Sequence, residues 1–252
     1  YAAWAEKAGR FRRIVVSRLD VTAEALRAEP AQPVEAALPT DDQAWPALAV
    51  AGDGSVTVAW EDRRDRHTVP LTSHSEDGLH FSAPVRLSDL PKDAGLGRSM
   101  GLGAGTGAMR PTLTAWGAQG IVAVWLDKRD FLSGYDVYAA FDPGTRHFGP
   151  NFQVQDSFGD NMAQWHAQVV GDADGRLLAL WDDARDGTPD VWLSNWDGTA
   201  FGDNVAVPGA AGPGTQSDPS AALDAAGGLH VIWLDQDEQA GARVRYAHAV
   251  WK

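Results

Sequence analysis

Ile121-Val122-Ala123-Val124-Trp125-Leu126-Asp127-Lys128-Arg129-Asp130 is the stretch that decides how this chain folds. Its first six residues form an unbroken apolar run, too short for an ordinary helix and suited to a strand buried on both faces. The run then ends in charged residues with the order W-x-D-x-R. The same register returns in Ser55-Val56-Thr57-Val58-Ala59-Trp60-Glu61-Asp62-Arg63-Arg64-Asp65, in Leu177-Leu178-Ala179-Leu180-Trp181-Asp182-Asp183-Ala184-Arg185-Asp186, and in Leu229-His230-Val231-Ile232-Trp233-Leu234-Asp235-Gln236-Asp237-Glu238. A weaker copy, Tyr1-Ala2-Ala3-Trp4-Ala5-Glu6-Lys7, opens the chain. The tryptophans at 4, 60, 125, 181 and 233 are separated by 56, 65, 56 and 52 residues. Two positions after each comes an acid (Glu6, Asp62, Asp127, Asp183, Asp235), and four positions after the central three comes Arg64, Arg129 or Arg185.

Around the Trp125 copy the unit reads as four short strands. Pro111–Ala115 is the first, Ile121–Leu126 the second, the alternating Asp136–Asp142 the third, and Asn151–Gln155 a short outer fourth. Asp53-Gly54, Asp174-Gly175 and Gly227-Gly228 supply the positive-φ chemistry of tight turns between first and second strands. Helical periodicity is confined to Ala23–Ala28, which is short and followed by Pro30. Four antiparallel strands recurring at this spacing predict an all-β fold, a β-propeller of four-stranded antiparallel blades. Five blades are visible, as part of a ring that six would complete. They comprise a partial blade over 1–43 lacking its inner strand, full blades over 44–90, 109–156 and 164–208, and a partial blade over 216–252 lacking its outer strand. A Gly-rich rim loop spans 91–108. The whole is one domain of 252 residues, an ordinary size for a repeat fold.

Composition narrows the partners. A net charge of −13 disfavours nucleic acid, whose binding depends on Lys and Arg neutralising phosphates. With no cysteine, disulfides and thiolate metal sites are excluded. No apolar run approaches the roughly 18 residues of a membrane-spanning helix. The chain begins at Tyr1 inside a strand-like pattern, without Met or a signal peptide, which implies numbering that starts after processing or trimming.

Ser75-Glu76-Asp77-Gly78-Leu79-His80-Phe81, between a third and a fourth strand, resembles the Asp-box of sialidase-like (BNR-repeat) propellers, one residue short of the full motif. Eroded copies are Asp142-Pro143-Gly144-Thr145-Arg146-His147-Phe148 and Asn195-Trp196-Asp197-Gly198-Thr199-Ala200-Phe201. The Asp and Ser side chains of such a box satisfy turn amides while the aromatic fills the gap between sheets, so these are devices of stability. The resemblance implies a secreted or periplasmic protein. A sialidase would further need three arginines, a Tyr–Glu nucleophile pair and an Asp. Phe11-Arg12-Arg13-Ile14-Val15 lacks the proline of the family's first Arg motif and sits in an outer strand, and Tyr135 and Tyr138 lie in or beside a third strand. That activity is disfavoured.

In propellers one rim of the central channel is the default ligand site. Asp62/Arg64, Asp127/Arg129 and Asp183/Arg185 fall there, with two readings. They form a ring able to bind a sugar acid or metal, or each pair ties down its own loop, which the regular repetition favours. Residues that break the symmetry are better candidates: Trp45-Pro46, Arg110-Pro111, Trp165-His166 and Asp218-Pro219 open successive inner strands. Arg110 could dock a carboxylate bidentately, His166 could act as base or ligand, and Trp45 and Trp165 could stack on a sugar. Gly95–Gly107 lacks the following helix that a phosphate loop requires, and reads as a rim connection. Asp41, Asp42, Asp182 and Asp183 offer oxygens to Ca2+ but in no ordered ligand spacing, so no cofactor or metal site is assigned.

The expectation is a non-catalytic propeller that binds a protein partner or a carbohydrate, or serves as an accessory subunit of a larger assembly. The alternative is a glycoside hydrolase using Arg110, His166 and one of Asp62, Asp127 or Asp183, since such enzymes need two carboxyls on one sugar.

Overall fold

The structure, a computed structural model, describes residues 1–23, 25–65, 67–89, 107–129, 134–160, 162–237, 239 and 241–251. Most of the Gly-rich stretch therefore lies outside the described residues. Among those described there are strands and turns and no helix.

Three successive sheets have four antiparallel strands in chain order. They are β6 (Gln43–Val50), β7 (Val56–Asp62), β8 (Val69–Ser75) and β9 (Val85–Arg86); β10 (Met109–Trp116), β11 (Gly120–Asp127), β12 (Asp136–Asp142) and β13 (Phe152–Gln153); and β14 (Trp165–Gly171), β15 (Leu177–Asp183), β16 (Asp190–Asn195) and β17 (Val205–Ala206). The first sheet has three strands, β1 (Ala2–Ala8), β2 (Phe11–Ser17) and β5 (Gln32–Pro33). The last also has three, β18 (Thr215–Leu223), β19 (Gly228–Asp237) and β20 (Gly241–Val250). Each is a propeller blade. The inner strands β6, β10, β14 and β18 pack side by side in sequence, and β1 lies against β6.

Two local expectations are corrected. The described residues of the Ala23–Ala28 stretch are not helical: Thr22 and Ala25 bond to each other across a turn, and β4 (Leu26–Ala28) pairs antiparallel with β3 (Leu19–Val21). A helix that short is too costly to nucleate in isolation, whereas the hairpin satisfies the same backbone with few residues. Phe11–Val15 also belongs to the middle strand of its sheet, since β2 pairs with β1 on one side and β5 on the other.

The core lies between the blades. Trp60, Trp125 and Trp181 are fully buried and Trp233 nearly so. The second strands β7, β11 and β15 are buried on both faces throughout their lengths, whereas β19 in the last blade exposes Ile232. Val122, Val124 and Leu126 of one blade meet Leu177, Ala179 and Trp181 of the next, and the same arrangement joins Ile14 and Val16 to Val56, Val58 and Trp60. A fully buried side chain of this size contributes about 2–3 kcal/mol of transfer free energy, so the repeated tryptophan stripe is the main apolar glue.

The outer turns close with side-chain oxygens. Asp77 Oδ1 accepts the amides of Leu79 (2.8 Å) and His80 (2.9 Å) and the Ser75 hydroxyl (2.9 Å). Asp142 does the same for Gly144 and Thr145, and Asp197 for Thr199 and Ala200.

Candidate functional site

Every inner strand carries the same irregularity near its start. The ladder slips by one residue between Ala44 and Ala47, between Met109 and Thr112, between Trp165 and Gln168, and between Ser217 and Ser220. Inside each slip one non-glycine residue has positive φ: Trp45 (50°), Arg110 (53°), His166 (48°) and Asp218 (53°). A bulge leaves a residue without a ladder partner, so a proline costs nothing at the following position. Pro46, Pro111 and Pro219 stand there, with Ala167 in the third case.

The four strained residues face one cavity of about 400 Å³, completed by the prolines and by Ala47, Thr112, Ala167 and Gln168. Positive φ at a bulky residue is uncommon and costs of order 1–3 kcal/mol, and such outliers cluster where side chains must be aimed. Here the same outlier recurs four times about one axis, delivering four different side chains.

Two carboxylates hold the bulges. Glu61 Oε1 accepts the Arg110 amide at 2.8 Å, and its carboxylate lies 3.7 Å from the Arg110 Nε. Asp182 Oδ1 accepts the Asp218 amide at 3.1 Å and pairs with His166 Nδ1 at 2.7 Å. His166 Nε2 reaches Asp218 Oδ1 at 3.2 Å, so the imidazole is clamped between two acids. The Arg110 guanidinium carbon lies over Trp45, 3.5 Å from its ring centroid. Among the described residues no hydrogen-bond partner engages its two terminal nitrogens, which remain available to a ligand.

Ionisation follows from these contacts. Burial pushes the Glu61 carboxyl above its ordinary range, opposed by the Arg110 amide. The hydrogen bond that His166 donates to Asp182 raises the imidazole, with burial opposing.

The other sequence candidates lie elsewhere. Asp62, Asp127 and Asp183 are buried at the ends of β7, β11 and β15. Each accepts the indole N–H of its own Trp60, Trp125 or Trp181, at 3.4, 3.0 and 2.9 Å. Each also accepts the amide of Arg64, Arg129 or Arg185 and pairs with that guanidinium at 2.6 to 2.7 Å. Arg129 and Arg185 then stack on Tyr138 and Trp192 of the same blade. None of the six lines the cavity. Trp165 is half-exposed and packs on Tyr135, 5.1 Å between centroids, outside the cavity wall. The register explains why: His166, not Trp165, occupies the position of Trp45, Arg110 and Asp218. Buried Gln43, Gln164 and Gln216 each stand two residues before the strained residue and carry this register in the sequence. Glu61 and Asp182, the variable residues of W-x-D, anchor the site, although sequence reading passes over Glu61 and offers Asp182 only as an oxygen donor to Ca2+. Of the acids offered to Ca2+, Asp41 accepts the adjacent Asp42 amide and Asp42 the Arg12 amide of the first blade, while Asp182 and Asp183 serve His166 and Arg185.

The chain matches no family model and no curated protein sequence. Solved structures do resemble it. An α-L-arabinanase from Penicillium chrysogenum, crystallised with arabinobiose, superposes with a TM-score of 0.56 at 13% identity, over 81% of this chain and 62% of the enzyme. An endo-arabinase from Bacteroides thetaiotaomicron gives 0.55 at 12% identity over 95% and 87% of the two chains. A Hadza microbial sialidase gives 0.53 at 13% identity over 95% of this chain and 53% of its own. The shared feature is the fold, a β-propeller of four-stranded antiparallel blades. At these identities the likeness concerns the backbone, and this propeller spans less than two thirds of the Penicillium enzyme. No helix in the described part of the propeller is long and apolar enough to cross a membrane.

Proposed function

We propose that this propeller is a carbohydrate-recognition module whose ligand enters the axial cavity bounded by Trp45, Arg110, His166 and Asp218. One observation carries the reading: four symmetry-related positive-φ residues project an aromatic plane, a guanidinium with unengaged terminal nitrogens, an imidazole and a carboxylate into one space of sugar size. Sugar sites combine such an apolar plane with a few oriented polar groups. The ligand is an oligosaccharide, with a carboxylate-bearing sugar favoured at Arg110 because its fork accepts a carboxylate bidentately. A secreted or periplasmic location belongs to the same reading, as does service as an accessory subunit. Arabinobiose and sialyllactose are apt first probes, given the arabinanase and sialidase among similar folds. Calorimetric titration of both, with Arg110→Ala and Trp45→Ala as controls, tests the proposal; absence of binding by either sugar and by a wider glycan panel overturns it.

A hydrolytic reading draws support from Glu61 alone, whose carboxyl is held toward its protonated form beside Arg110. In that case Glu61 would be the acid and Asp218 the second carboxyl, in place of Asp62, Asp127 or Asp183, which are occupied by Trp and Arg. Turnover of a chromogenic arabinofuranoside, abolished in Glu61→Gln, would favour it over simple binding.

A further inference from the structure

The turn between β18 and β19 repeats the turn between β14 and β15, with one consequential change. In the earlier turn Asp172 Oδ1 accepts the amides of Asp174 and Arg176, both at 3.0 Å, and Oδ2 is neutralised by Arg176 Nη1 at 2.7 Å. In the later turn Asp224 Oδ1 accepts the amides of Ala226 and Gly228, both at 2.8 Å, in the same spacing. Gly228 thus stands where Arg176 stands, and the guanidinium is missing from that position. Asp224 Oδ2 meets His230 Nε2 instead, at 3.0 Å. His248 lies directly opposite His230 in the β19–β20 ladder, with ring centroids 4.7 Å apart. One ligand atom from each of Asp224, His230 and His248 falls within 4.8 Å of the others.

Space is kept open at this meeting point. A Cβ on Gly228 would stand 2.6 Å from Asp224 Oδ2 and 2.8 Å from His248 Nε2. Gly228 does not have positive φ, so its backbone conformation does not demand glycine; the room above it does. The ligands are also pre-oriented. Asp224 is fixed through Oδ1, and the Tyr246 hydroxyl at 2.7 Å from His230 Nδ1 turns the opposite ring nitrogen toward Asp224. Such an outer contact sets ring orientation at metal-binding histidines.

We propose that Asp224, His230 and His248 bind a first-row transition-metal dication of the zinc class. Two imidazoles and one carboxylate suit Zn2+, Co2+ or Ni2+, whereas Ca2+ and Mg2+ prefer oxygen donors throughout. Asp224 and His248 are exposed, so a further coordination position opens to solvent and takes water or a donor atom from another molecule. The neighbouring cation, Arg176, lies against Gly227 but is paired with Asp172 at 2.7 Å and Asp174 at 3.2 Å. The site sits at the opposite end of β18 from Asp218, and it stands independently of carbohydrate binding.

Calorimetric titration of the whole chain with ZnCl2, at about pH 7.5 where imidazoles are mostly neutral, tests this. One Zn2+ per chain is expected, with Co2+ giving the visible absorption of a low-coordinate nitrogen–oxygen site. His248→Ala, His230→Ala and Gly228→Ala should each weaken binding by at least about tenfold, and Tyr246→Phe by roughly tenfold, with the circular dichroism spectrum unchanged. Absence of binding at about 100 µM Zn2+ overturns the proposal, as does one-to-one binding that survives in the His230→Ala/His248→Ala double variant.

Discussion

The guanidinium of Arg110 lies 3.5 Å above the ring of Trp45, although the two residues belong to neighbouring blades and are 65 positions apart. Both sit on positive-φ bulges at equivalent places in β6 and β10, so the contact follows from the propeller repeat. The stack holds the cation at the cavity wall, and among the described residues its terminal nitrogens have no hydrogen-bond partner. Because a planar fork cannot be replaced by a point charge, Arg110→Lys should weaken binding of a carboxylate-bearing sugar by about tenfold. Calorimetry against the matching neutral sugar, whose affinity should change little, checks this.

Strain at position 110 can be measured separately from binding. Glycine tolerates positive φ while a β-branched residue does not. Arg110→Val should therefore be less stable than Arg110→Gly by about 1–3 kcal/mol, since both variants lose the same stack and keep the amide to Glu61. Equal denaturation midpoints for the two variants would contradict the strained backbone.

His166 should titrate above the ordinary histidine range, because Asp182 stabilises the imidazolium. A group whose pKa is raised on folding adds stability at low pH and loses that contribution as pH climbs through the raised value. Nuclear magnetic resonance titration of the ring protons reads this directly, and Asp182→Asn should bring the midpoint down.

The blade repeat was legible because burial between sheets imposes one solution on every copy: an unbroken apolar strand with Trp at a fixed place. Trp60, Trp125, Trp181 and Trp233 announce it. The inner-strand residues Trp45, Arg110 and Asp218 were legible as breaks in that pattern. Trp165 falls one residue too early to line the cavity, because the register is set by Gln43, Gln164 and Gln216, buried two residues before the strained residue in three of the four inner strands. The role of Glu61 and Asp182 was not legible because their task, accepting the amides of Arg110 and Asp218 in the next blade, exists only once the blades are side by side. The hairpin at Leu19–Ala28 was hidden for a similar reason, since Leu26–Ala28 finds its partner in Leu19–Val21 rather than in its own periodicity.

Glu61 makes a prediction of opposite chemical character. Its carboxyl is raised by burial, so the folded protein holds a proton there that the unfolded chain has released. Stability from this group is present at low pH and falls as pH rises from about 4.5 through the raised value. In Glu61→Gln, chemical denaturation at a series of pH values should show a flatter decline over that window than in the parent. An unchanged slope would mean that Glu61 ionises as an ordinary surface acid.

Asp127 tests whether the repeated Asp–Arg pairs are the pegs of their blades. Its two oxygens receive three donors: the Trp125 indole at 3.0 Å, the Arg129 amide at 2.9 Å and the Arg129 guanidinium at 2.6 Å. Asparagine has one acceptor oxygen, so Asp127→Asn must turn an NH2 toward a buried donor and leave Arg129 with its hydrogen bond to Asn151 at 2.8 Å and the distant Asp89 carboxylate at 3.9 Å. Breaking a buried, hydrogen-bonded ion pair costs about 3–5 kcal/mol, and a loss near 3 kcal/mol in urea denaturation is expected because those two contacts partly compensate. Asp235 supplies the comparison. Its partners Arg243 and Arg245 are half-exposed, so Asp235→Asn should cost much less. If the two substitutions proved equally harmful, depth of burial would not be what makes the central pairs matter, and if both left sugar binding intact they would be confirmed as supports of the blades rather than parts of the site.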